Sequence, residues 1–301
     1  MSYFSSEILN AYSAFFANQP CRYHCGWHCL ASISFNSLLE ANGVGLDFNA
    51  LLVFCALFGM GGSLFSLLIS KWMAKRSTRT RIIENPSNRE EEWLVQTVRK
   101  LAENAGIGIP EVGIFPSDAP NAFATGWNRN NALVAVSSGM LRRFKPEEIR
   151  AVMAHEIGHV ANGDMITLSL IQGVVNTFVM FFARVIGHTV DRVVFKNERG
   201  LGLGYWIGTI VAEILLSILA SMVVMWFSRY REYRADAAGA DLAGKANMTA
   251  ALRRIQSEMN TPSDLPGELT AFGIRPGGSK FGQLFSSHPP LDKRIEALQN
   301  R

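Results

Sequence analysis

The sequence is short of cysteine, of charge and of any strong charge imbalance, and each shortage removes a class of protein. Four cysteines in 301 residues are too few for a disulfide framework, and three of them crowd into Cys21, Cys25 and Cys29. A reducing compartment fits that usage. Charged residues make up only 18%, and 29 basic against 25 acidic side chains leave a net charge of +4 dispersed along the whole chain. Nucleic acid would need a concentrated basic face, so no nucleic-acid partner is expected. The first twenty residues hold neither Lys nor Arg, and no small-residue cleavage pattern follows an apolar run, so no secretory signal peptide is read. Internal repeats and low-complexity tracts are also lacking.

What the chain has instead is apolar surface: 48% hydrophobic residues and a mean hydropathy of +0.12, more than an ordinary water-soluble domain carries. Crossing a bilayer takes about 20 apolar residues, and three stretches reach or approach that length: Phe48–Ser70, Met165–Phe182 and Tyr205–Phe227. The first is uncharged and ends against Lys71, Lys75, Arg76, Arg79 and Arg81. The positive-inside bias puts that cluster in the cytoplasm, and Arg229, Arg231 and Arg234 after the last stretch agree. Arg192, Lys196 and Arg199, set against Asp191 and Glu198, make the bias a preference. Membrane targeting thus rests on internal spans. Arg184 and Glu213, at or inside membrane segments, read as a structural pair.

Between Lys71 and Asp164 the composition is that of a small α+β module. Leu94, Val98 and Leu101 at helical spacing predict a helix over Glu91–Asn104 stopped by Gly106. Short β-favouring runs at Val112–Phe115, Asn121–Thr125 and Leu133–Val136 predict a small sheet. Leu133–Val136 reads either as a core strand or as an exposed edge strand for an extended substrate. Pro146, Glu147 and Glu148 open a helix that should run through His159. After Arg229 the pattern predicts helices over Glu232–Ala243 and Met248–Glu258, a Gly/Pro-rich loop, and a last helix behind Pro289-Pro290. The resulting division is 1–47, an atypical N-terminal segment; 48–70, a membrane helix; 71–164, the first half of an α+β domain; 165–227, a membrane hairpin; and 228–301, the second half of that domain.

The chemistry is carried by His155-Glu156-Ile157-Gly158-His159, an H-E-x-x-H pattern on the helix opened by Pro146. Histidines at i and i+4 stand on one face roughly 6 Å apart along the axis, so both imidazoles reach a single Zn²⁺. Glu156 between them then faces the metal-bound water, where a carboxylate can take its proton and pass it to a leaving amine. With six histidines in the whole chain, a chance match is a weak competitor. A catalytic zinc needs a third protein ligand, and Glu232 is the best candidate, with Asp236 one turn later to hydrogen-bond a ligand histidine. The bland alternative is a solvated charge pair among arginines. Position supports the metal: a membrane hairpin between His159 and Glu232 brings both ends to one membrane face, and the zinc within about 10 Å of it. His288 and Arg294 are candidates to support the oxyanion, or else a loop residue and a surface charge. Cys21, His24, Cys25, His28 and Cys29 cluster without the spacing of a known zinc motif.

Two other readings lose on sequence. An intramembrane protease would place the motif inside an apolar span, but Glu147, Glu148 and Arg150 precede it and Asn162-Gly163-Asp164 follows. A zinc-binding scaffold or sensor without turnover would not need Glu156.

From about Leu51 to its end the chain resembles the HtpX family of bacterial heat-shock membrane metalloproteases, relatives of the prenyl-protein (CAAX) proteases. The segments that carry the resemblance are Phe58–Trp72, Asn121–Gly126, Leu133–Gly139, Ala154–Met165, Ile171–Val179, Met225–Asp236 and His288–Leu298. The resemblance implies one zinc per chain at His155, His159 and Glu232, Glu156 as the base, an active site facing the cytoplasm from the bacterial inner membrane, and misfolded membrane proteins as substrates. The fold expected is mainly α: integral membrane helices plus a small cytoplasmic α+β zincin-like domain. The N-terminus departs from the family's apolar first span, since residues 1–47 carry Glu7, Arg22, His24, His28 and three cysteines. Its best candidate, Tyr23–Leu39, is 17 residues long with His24, His28, Ser32, Ser34, Asn36 and Ser37 inside, so stable insertion is not expected.

Overall fold

The computed structural model describes residues 47–198, 200–259 and 287–301. The Cys21–Cys29 cluster, the candidate span Tyr23–Leu39, Arg199 and the Gly/Pro-rich loop lie outside the described residues. In chain order the elements are α1 (Phe48–Ser77), β1 (Arg81–Ile82), α2 (Arg89–Asn104), β2 (Glu111–Phe115), β3 (Ala122–Gly126), β4 (Ala132–Ser137), α3 (Ser138–Arg143) and α4 (Pro146–Asn162). There follow α5 (Asp164–Thr189), a π-helical turn (Val190–Val194), α6 (Leu203–Ala243), α7 (Lys245–Met259) and α8 (Leu291–Gln299). The chain divides into two compact units, one taking residues up to Ser66 with Ser169–Val224, the other Leu67–Leu168 with Met225–Arg301.

In the first unit α1, α5 and α6 are each long and apolar enough to cross a membrane. Leu51, Cys55 and Met180 form its buried centre, while Leu57, Leu64, Phe178 and Leu215 point outward. Such an inside-out apolar surface is what lipid, as opposed to water, tolerates. Ser63 Oγ donates to the Ser169 carbonyl, one of the interhelical bonds that hold helices together where burial of apolar surface cannot. Arg184 is 1% exposed and donates to the Met180 carbonyl at 3.0 Å. Between α5 and α6, the Asp191 carboxylate accepts from Gly202 N and from Asn197 Nδ2, both at 2.8 Å, which closes the turn.

The second unit is the α+β module. Its sheet has the order β1-β2-β4-β3, with β2 and β4 parallel and the two outer pairs antiparallel. All six residues of β4 are buried, so Leu133–Val136 is an interior strand; the edge-strand alternative fails because β2 and β3 flank it, and among the described residues the edges of the sheet are β1 and β3. One core joins Leu94, Val98 and Leu101 of α2 to Val134 and Val136 of β4, Ile149, Met153 and Ile157 of α4, Leu252 of α7, and Leu291 and Leu298 of α8. Pro146 opens α4 and Pro289-Pro290 precedes α8 as expected, whereas α2 begins at Arg89, ahead of the expected Glu91, and α7 at Lys245, ahead of Met248. Asn88 caps α2 by accepting from Glu91 N at 2.8 Å, and Pro146 occupies the first turn of α4 with Glu148 bonded back to Lys145 N at 2.9 Å.

One expectation needs revision, and two elements went unforeseen. Glu232–Ala243 is not a separate helix: α6 runs unbroken for 41 residues from Leu203, because Met225–Ala243 contains no proline and no helix-stopping turn. The pairing of Arg81–Ile82 with Ile114 and Gly113, and the short helix α3, were not expected; two residues and six residues are too short for any period to register.

Candidate metal centre

His155 and His159 stand on α4 with their rings 4.7 Å apart and nearly perpendicular, and Glu232 reaches them from α6. Close approach of the two helices is possible because Gly158 faces α6. A Cβ at Gly158 would lie 2.9 Å from Ala238 Cβ and 3.2 Å from the Ala235 carbonyl oxygen. His159 Nε2 lies 3.2 Å from Glu232 Oε1, and His155 Nε2 3.5 Å from Glu232 Oε2. Tetrahedral ligands at about 2.1 Å from a zinc ion sit roughly 3.4 Å from one another. Among the described residues, these three form the group whose donor atoms converge within 4.8 Å.

The outward nitrogens also face carboxylates. His155 Nδ1 lies 2.9 Å from Asp236 Oδ1, and His159 Nδ1 2.7 Å from Asp164 Oδ2. Each imidazole is thereby oriented with Nε2 toward the centre, the arrangement metal-binding histidines use. Asp236 is gripped in turn by Arg294, whose Nη1 also approaches Glu232 Oε2 at 3.2 Å. His288 Nδ1 lies 2.8 Å from the same Glu232 oxygen. Glu156 is half-buried and keeps access to solvent, whereas His155, Glu232, Asp236 and Arg294 are buried.

The electrostatics favour a cation. Burial alone would lower the His155 pKa, but hydrogen bonds and charge from Asp236 and Glu232 outweigh it and raise it to about 10. Burial opposes His159 in the same way, and Asp164 and Glu232 raise it. Burial would lift Glu232, but His288, Arg294 and the two imidazoles hold it well below the carboxylate range. Asp236 goes down to about 2 against its own burial, chiefly through Arg294. Both Glu232 carboxylate oxygens are nevertheless buried without a well-directed hydrogen bond, although four nitrogens surround them within 3.5 Å. Two imidazoles and one carboxylate, with outward nitrogens fixed by two further carboxylates, are a borderline-soft donor set that fits Zn²⁺.

The structure brings His155, Glu156, His159, Glu232, Asp236, His288 and Arg294 into one locality. Glu232 and Asp236 are 1% exposed, so the solvated-pair alternative falls, and Arg294 at 3% exposed is no surface charge. Asp164 was not singled out in the sequence. It follows Gly163, which ends α4 with φ +70°, a left-handed conformation that glycine adopts at little cost. That turn carries the chain back so that the carboxylate meets His159, and where the side chain after such a turn points is not legible in the sequence.

The family model described as peptidase family M48 matches residues 88–301. A Pseudomonas putida protein named protease HtpX is 64% identical over 274 residues, covering 90% of this chain and 92% of that one. Its namesake in Pseudomonas fluorescens is 63% identical over the same share of both chains. The crystal structure of Ste24p from S. mikatae is 18% identical with a TM-score of 0.62, covering 97% of this chain and 67% of that one, a likeness of fold.

Proposed function

This chain belongs to peptidase family M48 and is a membrane metallopeptidase; we propose that it cleaves misfolded or damaged membrane proteins at the cytoplasmic face of the bacterial inner membrane, with Glu156 as its general base. We assign the metal to His155, His159 and Glu232. Zinc held there supplies an acidified water and a Lewis acid for the scissile carbonyl. Glu156 takes the proton of the attacking water and delivers it to the leaving nitrogen, which requires the solvent-facing, half-buried position it occupies between the two histidines. His288, about a third exposed and with Nδ1 2.8 Å from Glu232 Oε2, would support the developing oxyanion, while buried Arg294 would orient Asp236 and, through it, His155. β3, packed beside α4 and at an edge of the sheet among the described residues, would take an extended substrate strand.

The observation that carries this reading is the convergence of both Nε2 atoms on the Glu232 carboxylate while both Nδ1 atoms are held by carboxylates behind them. Glu156→Gln should keep about one zinc per chain and lose proteolysis, because the donors remain while the proton acceptor goes. Glu232→Ala should lose the metal instead. Retained proteolysis in Glu156→Gln would sink the mechanism, and full zinc content in Glu232→Ala would show that another group completes the site.

A further inference from the structure

Loops 105–110 and 127–131 of the α+β unit adjoin, with Gly108 N donating to Asn130 Oδ1 at 3.0 Å. Each turns one large apolar side chain to the outside: Ile109 is 53% exposed and Trp127 43%. Both loops are tied to the end of α1. Lys71 Nζ donates to Asn131 Oδ1 at 2.6 Å and pairs with Glu111 Oε1 at 2.9 Å, and Lys75 pairs with the same carboxylate. Lys71 is the first charged residue after the apolar run of α1, the level at which a membrane helix leaves the hydrocarbon. A neighbouring face of α1 marks the same level. Leu64, Leu68, Trp72 and Arg76 are exposed at four-residue spacing, and the Arg76 guanidinium lies 6.0 Å from the Trp72 ring centre. An aliphatic stripe ending in tryptophan and then arginine matches the order of hydrocarbon, interface and headgroup.

We infer that loops 105–110 and 127–131 dock on the bilayer surface, with Ile109 and Trp127 entering the headgroup layer and Arg76, Arg79 and Arg129 facing anionic phospholipid. Reach permits it, since Trp127 is four residues from Asn131 and therefore at most about 14 Å from a side chain bonded at the exit of α1. Charge favours it: the three arginines are exposed, and the nearby Glu111 carboxylate is occupied by two lysines. Two exposed apolar side chains are too small a patch for a stable protein partner, which needs about 800 Å² per side, but are enough for an interfacial anchor. The contact would fix the orientation of the α+β unit over the membrane.

Trp127 can be read directly. The full-length protein is reconstituted in phosphatidylcholine vesicles with and without phosphatidylglycerol, and the emission of Trp127→Phe is subtracted from that of the parent. The difference spectrum should be blue-shifted and quenched about twofold or more when acyl-brominated lipid replaces ordinary lipid, with deeper quenching in the anionic vesicles. Ile109→Asp should remove most of that quenching. A Trp127 contribution that is indifferent to bromine and freely quenched by acrylamide overturns the inference. Should Trp127→Phe fold poorly, a nitroxide at Ile109→Cys reports the same depth: access to oxygen over aqueous nickel supports docking, and the reverse order overturns it.

Discussion

Arg294 and Asp236, 58 residues apart in sequence, form a buried bidentate pair with Nε 2.8 Å from Oδ2 and Nη2 2.6 Å from Oδ1. Because Asp236 Oδ1 also lies 2.9 Å from His155 Nδ1, α8 reaches His155 through this pair. Planar, two-point contact fixes the carboxylate plane, which a point charge would not.

Arg294→Ala should therefore cost about 3–5 kcal/mol of stability, since it strands a buried carboxylate, and weaken zinc binding by about 10–100-fold. Arg294→Lys should recover part of the stability and little of the zinc affinity. Thermal unfolding in detergent and competition with a chelator measure the two separately.

Asp164→Ala should weaken zinc binding by about 10–100-fold while leaving Glu156 and the ligand set intact, because His159 loses the acceptor that orients it. Unchanged affinity would mean that Asp164 acts only as an acidic residue at the start of α5.

Glu91 gives a pH dependence. Its carboxylate accepts from Ser87 N at 2.9 Å, from Arg81 at 2.6 Å and from Ser87 Oγ at 2.8 Å, which lowers its pKa from 4.5 to about 2. A depressed folded-state pKa stabilises above the unfolded value and ceases to do so as pH falls through the folded one. Glu91→Gln should accordingly be less stable than the parent at neutral pH, with the gap closing between about pH 4.5 and 2. A gap constant across that range, read from unfolding midpoints, would remove Glu91 as the source.

Gly59 and Gly61 separate packing from hydropathy in the membrane unit. A Cβ at Gly59 would lie 2.7 Å from Thr177 N and 2.9 Å from Thr177 Cα, whereas one at Gly61 meets nothing within 4 Å. Gly59→Leu should destabilise by about 1–3 kcal/mol through forced separation of α1 and α5, and Gly61→Leu should not. Unfolding in detergent distinguishes them.

Periodicity and spacing made much of this protein legible. The apolar runs of α1, α5 and α6, the Leu94-Val98-Leu101 stripe of α2, the three longer strands and the H-E-x-x-H helix all repeat a local rule over enough residues to register. Where no period exists, as in β1 and α3, the sequence was silent. Continuity of α6 through Arg229–Arg234 was misread because a shift from apolar to charged residues marks a change of solvent, which a helix can cross without ending.

The sequence by itself determined the donor chemistry and the class of protein: two histidines one turn apart, a carboxylate between them, and apolar segments long enough for a bilayer. These are local properties, set by neighbours along the chain. Tertiary structure alone decided that β4 lies inside the sheet, that Asp164 stands behind His159, and that Arg294 is buried on Asp236. Each depends on which surfaces of α4, α6 and α8 meet, and that meeting is settled by packing between residues far apart in sequence, such as Gly158 against Ala238.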